Sequence, residues 1–323
     1  MRAAVVAAEG VEIKQVAEPA VKSHEILVQV RATSLNRADL LVASGHRHGP
    51  LGGVGARIGL ECAGDVVAVG NDVKSVAIGD RVMGAALGSH AERVVMHSNR
   101  AHRIADTKMT YEQAACLPIA LQTMHNAIIT AGRLKKGESL LIQGASSGVG
   151  LMAMEIGKLM GASIVMGTST RAERRARLKE FGCDVALDST DPNWPSEVKK
   201  ATSGKGVDLI IDQVSGSAMN QNLEASATLG RIVNVGRLGG MTGSFDFDKH
   251  ALKRIDYIGV TFRTRTDDEV GEINKLMRAD LWPSVESGRL TLPIDQTFPF
   301  ERIADGLQSM KANNHFGKIV IAF

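Results

Sequence analysis

The chain has 323 residues, 44% of them hydrophobic and 23% charged, with a formal net charge of +3. That is the composition of a soluble globular protein large enough for one large or two medium domains, and it calls for neither nucleic acid nor an anionic membrane as partner. Cys62, Cys116 and Cys183 are isolated, with no paired spacing, so they are expected as free thiols of a reducing compartment and not as a disulfide framework.

The apolar run Ala3 to Ala8 is cut by Glu9, too short for a signal segment, and no run approaches the ~20 apolar residues of a membrane span. A cytoplasmic location is expected. Residues 1 to about 113 read as β-rich. Strands are expected at Ala3 to Ala7, at Glu25 to Ala32 with Ile26, Val28 and Val30 alternating, at Cys62 to Val69, after Gly79 and at Ala91 to Met96. Ser34 to Leu41 reads as a short helix capped by Ser34. The stretch from Ser44 to Arg57 is glycine-rich and reads as a mobile loop or lid. His90, His97 and His102 read as surface or structural. Many short strands with glycine punctuation suggest a small barrel-like domain.

From Tyr111 the pattern changes. Tyr111 to Gly132 is mostly helical, with a kink or break near Pro118. Strands at Leu140 to Ile142, Ser163 to Gly167, Val185 to Leu187, Val207 to Asp212, Arg231 to Val235 and Tyr257 to Thr261 then alternate with helices at 149–160, 171–181, 193–203 and 217–228. This alternation predicts an α/β fold, a doubly wound parallel sheet. Helices follow at Asp267 to Ser287 and Phe300 to Lys311. The last strand, Lys318 to Phe323, has no partner by chain order in the α/β region, so the C-terminal part is expected to return to the β domain.

The most informative stretch is Leu140-Leu-Ile-Gln-Gly-Ala-Ser-Ser-Gly-Val-Gly150. A strand, a small-residue turn and a helix form the first unit of a dinucleotide-binding fold, with the helix N-terminus facing a pyrophosphate. Ala145, Ser147 and Gly150 hold the three glycine places of the usual fingerprint, so the match is degenerate. The plain alternative is an ordinary strand-to-helix turn. The end of the next strand weighs against that alternative. Where an NAD enzyme places an acid against the ribose, Thr168, Ser169, Thr170 and Arg171 stand, and no acid appears before Glu173. Hydroxyls and a guanidinium suit a 2′-phosphate, so NADPH is expected over NADH. Ser169 and Arg171 are the first candidates for it and Arg174 is the next. Arg175 and Arg177 read as a solvated face.

Taken in order, Ser34-Leu-Asn-Arg-Ala-Asp-Leu-Leu41, Gly59-Leu-Glu-Cys-Ala-Gly64, Val76-Ala-Ile-Gly-Asp-Arg-Val82, Leu134-Lys-Lys-Gly-Glu138, Gly144-Ala-Ser-Ser-Gly-Val-Gly150, Gly206-Val-Asp-Leu-Ile-Ile-Asp212, Gly259-Val-Thr-Phe-Arg-Thr-Arg265 and Gly317-Lys-Ile-Val320 resemble, end to end, the zinc-free NADPH:quinone oxidoreductase branch of the medium-chain dehydrogenase/reductase superfamily. The resemblance implies a doubly wound parallel Rossmann sheet in an NADP(H)-binding domain at 114–262. It also implies a GroES-like β-barrel catalytic domain from 1–113 and 263–323. A homodimer is implied too, with Tyr257 to Thr261 as an edge strand able to pair with its two-fold mate.

Zinc members carry a Cys where Asn36 stands and a His where Leu60 stands, and their cysteine-rich lobe is missing after Val82, so no metal is expected. Without a Lewis acid the acceptor must be electrophilic already: a quinone, or an alkene conjugated to a carbonyl. The leading expectation is hydride transfer from NADPH to a quinone. The rivals are a reductase of α,β-unsaturated carbonyls and a non-catalytic NADPH-binding protein. By resemblance, Asn36 and Thr123 line the nicotinamide and substrate site. Ala145, Ser146, Ser147, Gly148, Val149 and Thr168 hold the dinucleotide. Val214, Val235, Gly236 and Arg237 lie on the carboxyl edge of the sheet, and Phe262 and Arg263 meet the carboxamide. Relatives often place a Tyr where the loop His46-Arg47-His48 has Arg47, which makes Arg47 a candidate for a shifted substrate class or else a solvated loop residue. Ser189 replaces another frequent Tyr, near the adenine ribose.

Overall fold

The computed structural model describes residues 1–105 and 108–323. The chain divides into two units, one made of Met1–Gln122 with Phe262–Phe323, the other of Thr123–Thr261.

The first unit opens with an antiparallel pair, β1 (Arg2–Val6) and β2 (Val11–Gln15). Next come β3 (Glu25–Ser34), α1 (Arg37–Ala43), β4 (Glu61–Val69), β5 (Arg81–Ala85), β6 (Arg93–His97), β7 (Ala101–Arg103) and a short helix α2 (Tyr111–Ala115). β3 is the centre: it pairs antiparallel with β4 and with β6. Its alternating Ile26, Val28 and Val30 are buried against Cys62, Val66, Val82 and Val94, which is why a half-polar sequence forms a strand there. Ser34 does not cap α1, as the sequence suggested. The strand runs through Ser34, whose hydroxyl bonds to Glu61, and the cap falls on Asn36, whose N–H is accepted by the Asp39 carboxylate at 2.7 Å. Of the histidines expected to be surface or structural, His90 and His102 are buried and therefore structural.

α3 (Pro118–His125) starts at the proline, a favoured first helical position, and leads through a π-helical stretch at Asn126–Ala131 into the second unit. There β8 (Ser139–Ile142), α4 (Gly148–Leu159), β9 (Ile164–Ser169), α5 (Ala172–Arg177), β10 (Val185–Asp188), α6 (Trp194–Ala201), β11 (Val207–Asp212), α7 (Met219–Ala225), β12 (Ser226–Asn234), α8 (Phe247–Lys253) and β13 (Asp256–Gly259) follow. The six strands form one parallel sheet in the order β10-β9-β8-β11-β12-β13. This is the doubly wound arrangement, and its switch point lies at the carboxyl ends of β8 and β11. Leu141, Met166, Ile210 and Ile232 of the strands pack against Trp194, Val198 and Leu223 of the helices. The helix expected to run to residue 228 ends at Ala225. Residues from Ser226 on are captured as an extra length of β12, Ser226 pairing with Val207 across a register shift. Sheet pairing overrides local helix propensity there.

The chain then returns to the first unit with α9 (Asp267–Glu286), β14 (Ile294–Pro299), α10 (Ile303–Ala312) and β15 (Lys318–Ala322). β15 lies antiparallel to β3 and parallel to β14, giving a seven-stranded sheet. The last strand thus finds its partner in β3, as its lack of one in the α/β region had suggested. The sequence reading missed β2, β7, β14 and α8. No helix among the described residues is long and apolar enough to cross a membrane.

Backbone approach between β3 and β4 sets one strict requirement. A Cβ on Gly64 would lie 2.0 Å from the carbonyl oxygen of Gln29. Gly64→Ala must push two paired strands apart, and it should cost at least ~2 kcal/mol, read as a lowered thermal midpoint. An unchanged midpoint would contradict this packing.

Candidate functional site

In the second unit the turn after β8 is braced from below by buried polar groups. Gly144 takes φ +68°, a conformation open to glycine, and Ser147 caps α4 with its hydroxyl accepting from the Gly150 N–H at 3.1 Å. A Cβ on Gly150 would meet the Ala145 Cα and carbonyl oxygen at 2.7 Å, so glycine is required where the helix starts. Thr168 at the end of β9 carries the turn: its hydroxyl accepts from the Gly144 N–H at 3.1 Å and donates to Gln143 Oε1 at 2.7 Å. Gln143 donates to Asn222 Oδ1 at 2.7 Å, and Asn222 to Asp212 Oδ2 at 3.0 Å. Asp212 also accepts from the N–H groups of Val214 and Ser215. Burial pushes its carboxyl up and those hydrogen bonds only partly offset the shift.

This framework brings Ala145, Ser146, Ser147, Gly148, Val149, Thr168 and Ser169 together at one edge. Val214, Val235, Gly236 and Arg237 join them there, because Val235 and Gly236 both donate to the Asp212 carbonyl. Ser146 and Ser169 share a hydroxyl–hydroxyl bond of 3.0 Å. The N–H groups of Gly148 and Val149, in the first turn of α4, have no acceptor within the helix, which is the electropositive end an anion would use.

The arginines after β9 separate. Arg171 stands just before α5, 41% exposed in its side chain, with Glu173 no closer than 3.9 Å. Arg174, the next candidate after Ser169 and Arg171, is largely buried on α5. Arg175 is not a solvated residue: it donates to the Ser169 carbonyl at 3.0 Å and pairs with Asp188 at 2.8 Å. Arg177 lies 47% exposed, 3.4 Å from Glu180 on the surface. Thr123 is half-buried on α3, and the bonds that brace the turn do not include it.

In the first unit Asn36 belongs to a buried cluster that sequence reading missed. Glu61 is wholly buried. Its Oε1 accepts from Ser34 Oγ at 2.5 Å, Asn36 Nδ2 at 2.8 Å and Lys318 Nζ at 2.7 Å, and its Oε2 accepts from the Ile119 N–H at 2.8 Å. Lys318 Nζ also donates to Asn36 Oδ1 at 3.1 Å. The available signal was a lone lysine opening an otherwise apolar last strand and a lone glutamate opening β4: each needs a buried partner. Arg47 is exposed. Its loop is held through Gly49, whose backbone would place a Cβ 3.5 Å from Arg263, and through half-buried His48, whose pKa is lowered by burial and by Arg263. Arg265 lies 5.7 Å from the centre of the Phe262 ring.

Two family models match this chain: the alcohol dehydrogenase GroES-like domain over residues 22–106, and the zinc-binding dehydrogenase over residues 148–278. The chain belongs to the medium-chain dehydrogenase/reductase superfamily. It is 30% identical over 310 residues to a hybrid PKS-NRPS synthetase of Aspergillus violaceofuscus, an alignment spanning 92% of this chain and 8% of that protein. It is 26% identical over 310 residues to a reducing polyketide synthase of Hypomyces subiculosus, spanning 94% of this chain and 13% of that protein. The chain therefore spans only a small part of the length of these curated relatives. Among solved structures it is similar over its whole length to an NAD-dependent alcohol dehydrogenase (26% identity, TM-score 0.86, 100% of both chains). A mycobacterial protein complexed with NADPH (24%, 0.89, 100% of both) and a Pseudomonas syringae quinone oxidoreductase (24%, 0.87, 100% of this chain and 99% of that one) share the fold. So does the CurK enoyl reductase (23%, 0.84, 99% of both).

Several members of this superfamily bind zinc, and the residues here do not fit it. Asn36 and Leu60 offer neither thiolate nor imidazole, and both oxygens of Glu61 are engaged. Among the described residues no three of His, Cys, Asp or Glu gather as a donor set. The cysteines are no alternative nucleophiles: burial pushes the Cys116 thiol up to about 12 and Cys183 up to about 11. In the folded protein at pH 8 all three buried thiols should react with a disulfide reagent at least ~100-fold slower than in urea. A fast-reacting thiol in the native state would contradict their burial.

Proposed function

We propose that the chain is an NADPH-dependent reductase of acceptors already made electrophilic by conjugation, with quinones as the leading class. The observation that carries the cofactor reading is the end of β9. The Ser146–Ser169 hydroxyl pair and Arg171 stand there in place of a carboxylate, and the neighbouring acid, Asp188, is taken by Arg175. These residues fit a 2′-phosphate, and the open N–H groups of Gly148 and Val149 fit the pyrophosphate. Ala145 and Gly150 keep the turn narrow enough for close approach. Bound there, NADPH would supply hydride for two-electron reduction. The protein's share is binding and orientation. Asn36, Thr123, Phe262 and Arg263 are our candidates on the nicotinamide and acceptor side. Because no metal donor set gathers among the described residues, an unactivated alcohol is a poor substrate and a quinone or enone a good one.

The polyketide synthase relatives and the enoyl reductase of the same fold favour a second reading, reduction of an α,β-unsaturated carbonyl, which the same residues would serve. Steady-state oxidation of NADPH and NADH with a naphthoquinone and a short enone tests both readings. We expect NADPH to be preferred and the quinone to be reduced. Turnover with the enone alone would establish the second reading, and a preference for NADH would overturn the cofactor assignment. Arg171→Ala should raise KM for NADPH about 10-fold or more, the loss of one charge-assisted hydrogen bond, and leave KM for NADH nearly unchanged.

We also propose a homodimer. β13 is one of the two edges of the parallel sheet; Tyr257 (42% exposed) lies on it, and Phe247 (76%) and Leu252 (72%) lie on α8, which precedes it. A second copy pairing along β13 would cover them. Light scattering at micromolar concentration should give twice the chain mass; the mass of one chain would refute the dimer.

A further inference from the structure

The cluster around Glu61 restricts what Asn36 can do. Its side-chain amide has two hydrogens and two lone pairs. Both hydrogens are committed, one to Glu61 Oε1 at 2.8 Å and one to the Ser34 carbonyl at 3.3 Å. One lone pair accepts from Lys318 Nζ at 3.1 Å. Turning the amide over would set its NH2 against an ammonium and its oxygen against a carboxylate, so the cluster permits one orientation. Lys318 and Glu61 are side-chain exposed by only 5% and 0%, whereas Asn36 is half-buried, so the buried charges reach the surface of this unit at Asn36.

We propose that Lys318, through its ion pair with Glu61, is a positioning residue that locks Asn36 as a hydrogen-bond acceptor only. This rests on the reductase reading above and deepens it. The group that Asn36 meets must then be a donor; with the carboxamide amine of the nicotinamide assigned to Phe262 and Arg263, that donor is a hydroxyl. The carbonyl oxygen of an oxidised acceptor finds no donor on this side chain, so Asn36 does not polarise it. The hydroxyl has two sources, a sugar of the dinucleotide or the hydroxyl of a reduced acceptor. The ammonium also stands beside Asn36 and Glu61 and satisfies the acid there with an internal cation.

The test uses the full-length protein and three variants: Lys318→Met, Lys318→Arg, and Lys318→Met with Glu61→Gln, the last leaving no buried unpaired charge. The first readout needs no ligand. In protein labelled with 15N-asparagine, the Asn36 side-chain amide protons should exchange at least ten-fold faster in the double variant than in the wild type, with Lys318→Arg restoring protection. The second is NADPH affinity by fluorescence, and the third is kcat and KM for the acceptor. A ten-fold weaker NADPH affinity in a folded double variant with unchanged acceptor KM supports a sugar hydroxyl. Unchanged NADPH affinity with a ten-fold lower kcat supports a hydroxyl of the reduced acceptor. Unaltered exchange of the amide overturns the lock. Altered exchange with affinity, kcat and KM all unchanged overturns its functional part. The exchange arm reads the lock even if the wild type turns over no quinone or enone.

Discussion

A buried ammonium–carboxylate contact holds the first unit together. Lys318 opens the last strand, and Glu61 opens the fourth. Through one carboxylate the chain ties its final strand to Ser34 at the end of β3, to Asn36 at the start of α1 and to the Ile119 N–H in α3. Hydrophobic surface alone would not register these four segments, because burial is non-directional. An ion pair whose carboxylate takes three donors on one oxygen and a fourth on the other is demanding in geometry, and removing one partner leaves an uncompensated charge, typically costing about 3–5 kcal/mol. The returning strand therefore pairs with β3 in the one register that brings Lys318 to Glu61.

The second unit solves a related problem with a chain of buried polar side chains. Its parallel sheet needs small residues and open N–H groups at the carboxyl ends of β8 and β11, and such a turn has little apolar contact to hold it. Thr168, Gln143, Asn222 and Asp212 supply the rigidity instead, each a buried polar group whose partner is the next. Networks of this kind are costly when half satisfied and rigid when complete. The result is a turn held from beneath whose Gly148 and Val149 N–H groups have no acceptor within α4.

Much of this was legible in the sequence. The alternation of apolar strands and helical spacing from Leu140 onward yields the six parallel strands, because parallel strands buried on both faces read as short apolar runs. The small residues from Gly144 to Gly150 located the turn. Much of what escaped depends on partners distant in the chain, with β2 an exception. β2 and β14 were missed, and of their pairings only β1–β2 is local. Ser226 to Gly230 follow a helix and contain a glycine, and only pairing with β11 makes them a strand.

The site residues divide along the same line. Ser146, Ser169 and Thr168 could be placed because a strand end and a helix start are fixed by local pattern. Arg174 and Arg175 could not be told apart in sequence, since one turn of α5 decides that the first is buried and the second reaches back to the Ser169 carbonyl and Asp188. Arg175 thereby pairs with Asp188, which lies beside the end of β9, and fixes the backbone that carries the Ser169 hydroxyl. On the reading proposed above, Arg175 would favour phosphate over ribose hydroxyls without touching the ligand: it pairs with the competing carboxylate and leaves the hydroxyl pair and Arg171 for an anion.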